Sequence, residues 1–225
     1  MAPFTDIRGI AFDLDGTLVD SAPGLSRAID LMLEDLQLPV AGLENVIRWI
    51  GNGADIMVNR ALTWALGTSP DESQVAQARS CFDHHYLHTA ESGSQLFSHV
   101  LEVLEVLSSK EIPLAIVTNK PTPFVRPLLE SLNIDHFFSL IIGGDDVPIK
   151  KPHPAAIFMV LGQFGLLTEQ LLFVGDSRND IQAAKSAGVR SVGLSYGYNY
   201  GEPIEDSHPD QVIHQFDHLL SLIGK

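Results

Sequence analysis

Beyond residue 95, short apolar runs alternate with stretches of 3.6-residue periodicity, and this pattern constrains the fold more than any other feature of the chain. Helical spacing over 100–107 precedes an apolar run at 114–117, and helical spacing over 123–132 precedes another at 139–142. A helix over 154–164 leads to a run at 171–174, and a helix over 179–187 to a run at 191–194. An amphipathic helix is expected over 212–223. One more apolar run, at 7–12, ends in a cluster of Asp, Gly and Thr. Short continuous runs of this kind fit strands buried on both faces, and strands joined through helices imply a parallel, doubly wound sheet with a Rossmann-like α/β core.

Between 20 and 95 the pattern is purely helical. Leu25, Ile29, Met32, Leu33 and Leu36 recur at helical spacing, followed by Leu43, Val46, Ile47 and Ile50, then by Ile56, Met57, Arg60 and Ala61. A fourth helix is expected over 72–88, and no strand is expected in this window. The predicted organisation is a core of 1–19 and 96–225, with a small all-helical cap of 20–95 inserted after the first strand.

With 45% hydrophobic and 19% charged residues the chain has ample material for a packed core. Its longest apolar runs are too short to span a bilayer. The opening residues, Met1 to Asp6, lack the basic and apolar regions of a signal peptide. The lone Cys81 excludes an internal disulfide and is expected to fill a small gap in the core. Together these features predict a cytoplasmic protein, and they are compatible with a monomer or a homodimer alike. The net charge of −14 repels nucleic acid and anionic membrane, so neither is an expected partner. It would also repel a phosphorylated metabolite, so any phosphate site must concentrate positive charge locally.

In an open parallel sheet, ligands bind beyond the carboxyl ends of the strands. The polar residues there are Asp13 and Asp15, Thr118 and Asn119, Asp145 and Asp146, and Asp176. Turn formation alone accounts for one or two of these carboxylates, but not readily for so many converging on one edge. Asp13-Leu14-Asp15-Gly16-Thr17 is the most specific motif, because alternation puts both carboxylates on one side and Gly16 permits a tight turn. Gly175-Asp176-Ser177-Arg178-Asn179-Asp180 is less specific, and Thr118 and Lys151 carry weight only through their order along the chain.

These residues, in this order, resemble the haloacid dehalogenase superfamily over nearly the whole chain, the helical insertion included. Trp49-Ile50-Gly51-Asn52-Gly53-Ala54-Asp55 and Lys150-Lys151-Pro152-His153-Pro154 are further similar to segments of bacterial phosphoglycolate phosphatases. The resemblance implies a phosphatase acting on a small anionic phosphorylated metabolite, with 2-phosphoglycolate as the expected substrate. Asp13 would be the nucleophile, forming an aspartyl-phosphate. Asp15 would protonate the leaving alkoxide and then deprotonate water. Mg²⁺ suits hard carboxylate and phosphate oxygens. Its expected ligands are Asp13, the backbone carbonyl of Asp15, and Asp176, with Asp180 in support. Lys151, the Thr118 hydroxyl and the Asn119 N–H would meet the phosphoryl oxygens.

Other residues have two readings. Asp180 could simply cap the helix that follows it, and Lys150 reads as a surface lysine. Asn52, in the Gly51-Asn52-Gly53 loop, is a candidate substrate contact, although a plain helix break fits it too, and Arg48 and Arg60 could meet a substrate carboxylate, although a surface arginine fits both positions. His84 and His88, like His214 and His218, lie four apart and read as solvated helix-face residues, lacking a third metal ligand. The segment Tyr196-Gly197-Tyr198-Asn199-Tyr200 could rim the site or form an exposed turn. Two other functions fit the same framework. One is a sugar-phosphate phosphatase or mutase, and the other is a non-catalytic binding module, which the full set of acids, lysine and threonine argues against.

Overall fold

The computed structural model describes residues 4–223; Met1–Pro3, the start of the segment read for a signal peptide, lie outside them. The chain runs β1 (Gly9–Phe12), β2 (Val19–Asp20), α1 (Ala22–Asp35), α2 (Leu43–Ile47), α3 (Ala54–Leu66), α4 (Glu72–Ser92), β3 (Gln95–Leu96), α5 (Val100–Ser109) and β4 (Leu114–Val117). It continues through α6 (Val125–Ser131), β5 (Leu140–Ile142), α7 (Ala155–Phe164), β6 (Leu171–Gly175), α8 (Arg178–Ala187), β7 (Arg190–Leu194), β8 (Gln211–Ile213) and α9 (Leu219–Leu222).

Six strands form one sheet in the order β5-β4-β1-β6-β7-β8, every pairing parallel. The doubly wound sheet expected from the alternation is therefore present. Period-2 geometry divides each central strand between two cores. Ile10, Phe12, Leu114, Ile116, Leu172 and Val174 face the side covered by α5, α6 and α9, whereas Ala11, Ala115, Val117, Leu171 and Phe173 face α7 and α8. The chain builds outward from β1 to β4 and β5, then returns to the other side of β1 for β6. Such a reversal of strand order opens a crevice at the carboxyl ends.

Helices α1–α4 enclose a separate apolar cluster around Ile29, Met32, Leu33, Val58, Leu62 and Phe82. A two-stranded antiparallel ribbon, Val19 opposite Leu96 and Asp20 opposite Gln95, connects them to the sheet. This ribbon corrects the expectation of no strand in 20–95, since two residues are too few to show a period of two. Just beyond it α1 and α4 touch backbone to backbone: Gly24 N donates to Gly93 O at 2.9 Å, and a Cβ on Gly93 would collide with Gly24.

The helix expected over 212–223 is also corrected. Gln211–Ile213 is instead a sixth strand that fills the free edge of β7, and helix begins only at Phe216, where a 3₁₀ turn over Phe216–His218 leads into the α-helix Leu219–Leu222. Ile213, Phe216, Leu219 and Leu222 still reach one core, so a strand, a turn and a short helix satisfy the same apolar spacing as one helix. His214 and His218 thus share no helix face; both are exposed, and His214 Nδ1 lies 2.6 Å from Ser195 Oγ. Cys81 is half-buried rather than a core filler, its thiol 3.3 Å from Asp35 Oδ2. Among the described residues no helix is long and apolar enough to cross a membrane.

Candidate active site

Because Phe12 is in register with Ile116 on one side and Val174 on the other, β1, β4 and β6 end together. Asp13, Thr118 and Asp176 therefore meet at one edge. Asp13 remains tied to the sheet, its amide donating to Val174 O at 2.9 Å. The turn behind it needs Gly16 twice over: φ is +89°, and a Cβ there would fall on the Asp176 carboxylate.

Asp176 is almost fully buried. Its Oδ1 accepts from Thr17 Oγ1 at 2.9 Å and its Oδ2 from Tyr198 N at 2.8 Å. The backbone of Gly197 presses on the same side chain so closely that a Cβ at 197 has no room. Asp180 sits in the first turn of α8, where its Oδ2 accepts from Ser177 N and Oγ at 3.0 and 2.6 Å. Its Oδ1 accepts from Lys151 Nζ at 2.6 Å. Asp180 therefore caps its helix and faces the acid cluster at once, through different oxygens.

Asp13, Asp176 and Asp180 each present a carboxylate oxygen within 4.8 Å of the others. Lys151 is the ammonium among them. Its Nζ stands 2.9 Å from Asp13 Oδ1 but is aligned on Val117 O and Asp180 Oδ1, leaving Asp13 Oδ1 buried with no aligned donor. Burial, then the charge of Asp180, pushes the Asp13 carboxyl up to about 7 against the pull of Lys151. Burial, then the charges of Asp180 and Asp13, pushes Asp176 up to about 8. Burial pulls the Lys151 ammonium down, but Asp13 and Asp180 outweigh it and its net shift is upward. Three buried carboxylates, one ammonium and an undersupplied oxygen fit a hard divalent cation of the Mg²⁺ type, which prefers oxygen ligands.

The Asp15 carboxylate turns away from this cluster. Both its oxygens face Lys120 Nζ, at 2.9 and 3.1 Å, and that ammonium also reaches Tyr86 Oη at 2.6 Å. Lys120 and Tyr86 are site residues that sequence reasoning missed. The lysine follows Thr118-Asn119 directly after a buried strand, a placement that could have drawn notice. Tyr86 comes from α4 and carried no local signal.

Asn119 braces the site. Its Nδ2 donates to Lys151 O and to Gly51 O, both at 2.9 Å, and its Oδ1 accepts from Lys151 N at 2.9 Å. Asn179 Nδ2 reaches the same Gly51 carbonyl at 3.2 Å. The Gly51–Gly53 loop is thus docked on the sheet edge. It helps enclose a cavity of about 40 Å³ whose lining includes Asp13, Asp15, Thr118, Lys120 and Tyr86. Asn52 is half-buried, with an unpartnered Oδ1, and does not line the cavity. Neither does Arg60, whose Nη1 donates to Trp49 O at 3.1 Å. Arg48, His84 and His88 are exposed. Asp145 and Asp146 are exposed turn residues whose carboxylates accept from Thr122 N and Gly143 N.

The tyrosines at 196–200 are half-buried struts rather than an exposed turn. Tyr196 Oη donates to Thr17 O at 2.8 Å, Tyr198 Oη to Asp20 Oδ1 at 2.7 Å, and Tyr200 Oη accepts from Asn179 at 2.7 Å.

The family model described as haloacid dehalogenase-like hydrolase matches residues 10–194. The chain is similar to a phosphoglycolate phosphatase from Pectobacterium atrosepticum, 60% identical over 224 residues that span 100% of this chain and 95% of that protein. The phosphoglycolate phosphatase of Escherichia coli K12 is 55% identical over 240 residues, again spanning 100% and 95%. The crystal structure of "a predicted phosphoglycolate phosphatase" from Haemophilus somnus 129PT superposes with a TM-score of 0.93 at 45% identity, covering 97% of this chain and 98% of that one.

Proposed function

Because the chain belongs to the haloacid dehalogenase-like hydrolases, we propose that it hydrolyses 2-phosphoglycolate to glycolate and phosphate through a phosphoryl group carried on Asp13. The observation that carries the reading is Asp13 itself. It is a buried carboxylate at the end of the central strand, one oxygen lacking an aligned donor, with Lys151 beside it and Asp15 two residues on. The relatives' activity supplies the substrate.

A carboxylate oxygen of Asp13 attacks phosphorus as the bond to the ester oxygen breaks, and the leaving glycolate oxygen takes its proton from Asp15. Asp15, now a carboxylate, takes a proton from the water that attacks the same phosphorus. The bond to Asp13 breaks, phosphate leaves and both groups are restored. Lys151, the Thr118 hydroxyl and the Asn119 N–H hold the phosphoryl oxygens while charge shifts among them. Asp13, Asp176 and the backbone carbonyl of Asp15, with Asp180 in support, would hold Mg²⁺, which would supply charge neutralisation that one lysine cannot. Residues 20–95 act as a cap that excludes water and selects the substrate, and the enzyme works in the cytoplasm.

Phosphate release from a panel of metabolites tests the reading. With Mg²⁺, 2-phosphoglycolate should exceed glucose and ribose phosphates in kcat/KM by about 10²-fold or more. Failure to turn over 2-phosphoglycolate or any aryl phosphate would sink it.

A further inference from the structure

The cavity above Asp13 holds one positive charge that the phosphoryl chemistry leaves unused. Lys120 is buried, and its Nζ contacts Asp15 and Tyr86 Oη while lying 4.8 Å from the centroid of the Tyr86 ring. Among the described residues lining this cavity it is the single cation, in a wall otherwise rich in Leu25, Ile50, Met57, Phe82 and Phe124. Lys151 is committed to Val117 O and Asp180, and Arg60 to Trp49 O. Burying an anionic group against such a wall is costly unless a cation pairs with it.

Position narrows the choice further. A general acid must lie within about 2.6–3.2 Å of the ester oxygen it protonates, and Lys120 Nζ is 2.9 Å from the Asp15 carboxylate. The ammonium therefore stands two hydrogen bonds from the ester oxygen, a separation spanned by one methylene and a carboxylate. Tyr86 Oη accepts from Lys120, which leaves its own O–H to donate to an incoming oxygen.

We propose that Lys120 and Tyr86 form the subsite for a carboxylate borne on the carbon that carries the ester oxygen, so that the site selects phosphate esters of 2-hydroxy acids. The substrate carboxylate takes the ammonium in exchange for Asp15, whose freed carboxylate takes up a proton from water and turns to the ester oxygen. Because Lys120 follows β4 and Tyr86 lies on α4, the same carboxylate ties the cap to the core. The inference rests on the hydrolysis proposed above, and assigns the acid's partner to these residues instead of Asn52 or Arg60.

The test compares 2-phosphoglycolate with ethyl phosphate, which has a methyl group in place of the carboxylate. Wild type should favour 2-phosphoglycolate in kcat/KM. Lys120→Met should cut that preference by about 10²-fold, and Tyr86→Phe by about 3–10-fold, the loss of one neutral hydrogen bond. Lys120→Arg, which keeps the charge, should retain most of the preference. In an Asp13→Asn background, calorimetry reads binding without turnover. There Lys120→Met should weaken 2-phosphoglycolate by at least roughly tenfold more than inorganic phosphate. A Lys120→Met preference within threefold of wild type, or equal weakening of both ligands, overturns the subsite. A wild type that hydrolyses neither ester overturns the hydrolase reading instead, and the binding arm still decides the subsite.

Discussion

Replacing Asp13 by Asn should abolish turnover yet make the metal-free protein more stable at pH 8. Asp13 is moved from an ordinary carboxyl value of 3.8 to about 7, chiefly by burial and then by Asp180. A folded-state value above the unfolded one means the native state binds the extra proton, so stability falls as pH rises through the window between them. The penalty is absent below about pH 4 and complete above about pH 7. At about 1.4 kcal/mol for each tenfold change in proton affinity, it amounts to about 4 kcal/mol at pH 8. The amide removes that term. It also removes the 2.9 Å approach to Lys151, but Lys151 keeps its aligned acceptors Val117 O and Asp180 Oδ1, so about 2 kcal/mol should be lost in return. The net gain of about 2 kcal/mol corresponds to a Tm rise of roughly 4–8 °C for a chain of this size. Calorimetric scans in chelated buffer at pH 8 and pH 5 measure it, and the gap should narrow at pH 5 as wild-type Asp13 takes up its proton. An Asn variant less stable than wild type at pH 8, or a gap that ignores pH, would refute the electrostatic account of the cluster.

Chelation should silence phosphate release and Mg²⁺ should restore it, and Asp176→Ala should raise the Mg²⁺ needed for half-maximal rate or eliminate the rate, as read in a metal titration. Gly197→Ala should push the Asp176 side chain out of place, because a Cβ at 197 would overlap it; kcat should fall by about 10²-fold with the fold retained by circular dichroism. Asn119→Ala severs the links to Gly51 O, Lys151 O and Lys151 N, and should lower unfolding free energy in urea by about 2–3 kcal/mol.

The sheet and the acid cluster were legible for one reason. A parallel doubly wound sheet sends every strand's carboxyl end to the same edge, so residues far apart in sequence can be assigned to one place from strand order alone. Asp13, Thr118 and Asp176 are placed that way, whereas Lys151 and Asp180 are assigned only through the resemblance of the motif set as a whole. The missed features depend on partners that periodicity does not reveal. Ile213, Phe216, Leu219 and Ile223 keep helical spacing, but β7 offers an unpaired edge, and backbone pairing there turns Gln211–Ile213 into strand. Helical spacing placed Arg60 on a face of α3, whereas its guanidinium is captured by the carbonyl of Trp49, a residue in the preceding loop. Lys120 looks like a surface lysine until α4 brings Tyr86 over it, a contact between residues 34 apart in sequence.

Asp13 and Asp15 show how one edge can place the same functional group in two different surroundings. They are two residues apart and both line the cavity, yet Asp13 joins a group of buried carboxylates around Lys151 while Asp15 stands outside that group, paired with Lys120. A nucleophile must be ionised when it meets phosphorus, which inside so negative a cluster calls for a cation at the cluster itself. A group that first gives and then takes a proton must instead reach the leaving oxygen and the water, clear of that cluster. Lys120 keeps Asp15 on the cavity side, and Lys151 sits on the cluster side. With a net charge of −14 over the whole chain, these two buried lysines place positive charge where an anionic substrate would otherwise be repelled. On the proposed reading selectivity and chemistry would share one source, since the cation that would bind the acid end of the substrate is the one paired with Asp15 in its absence.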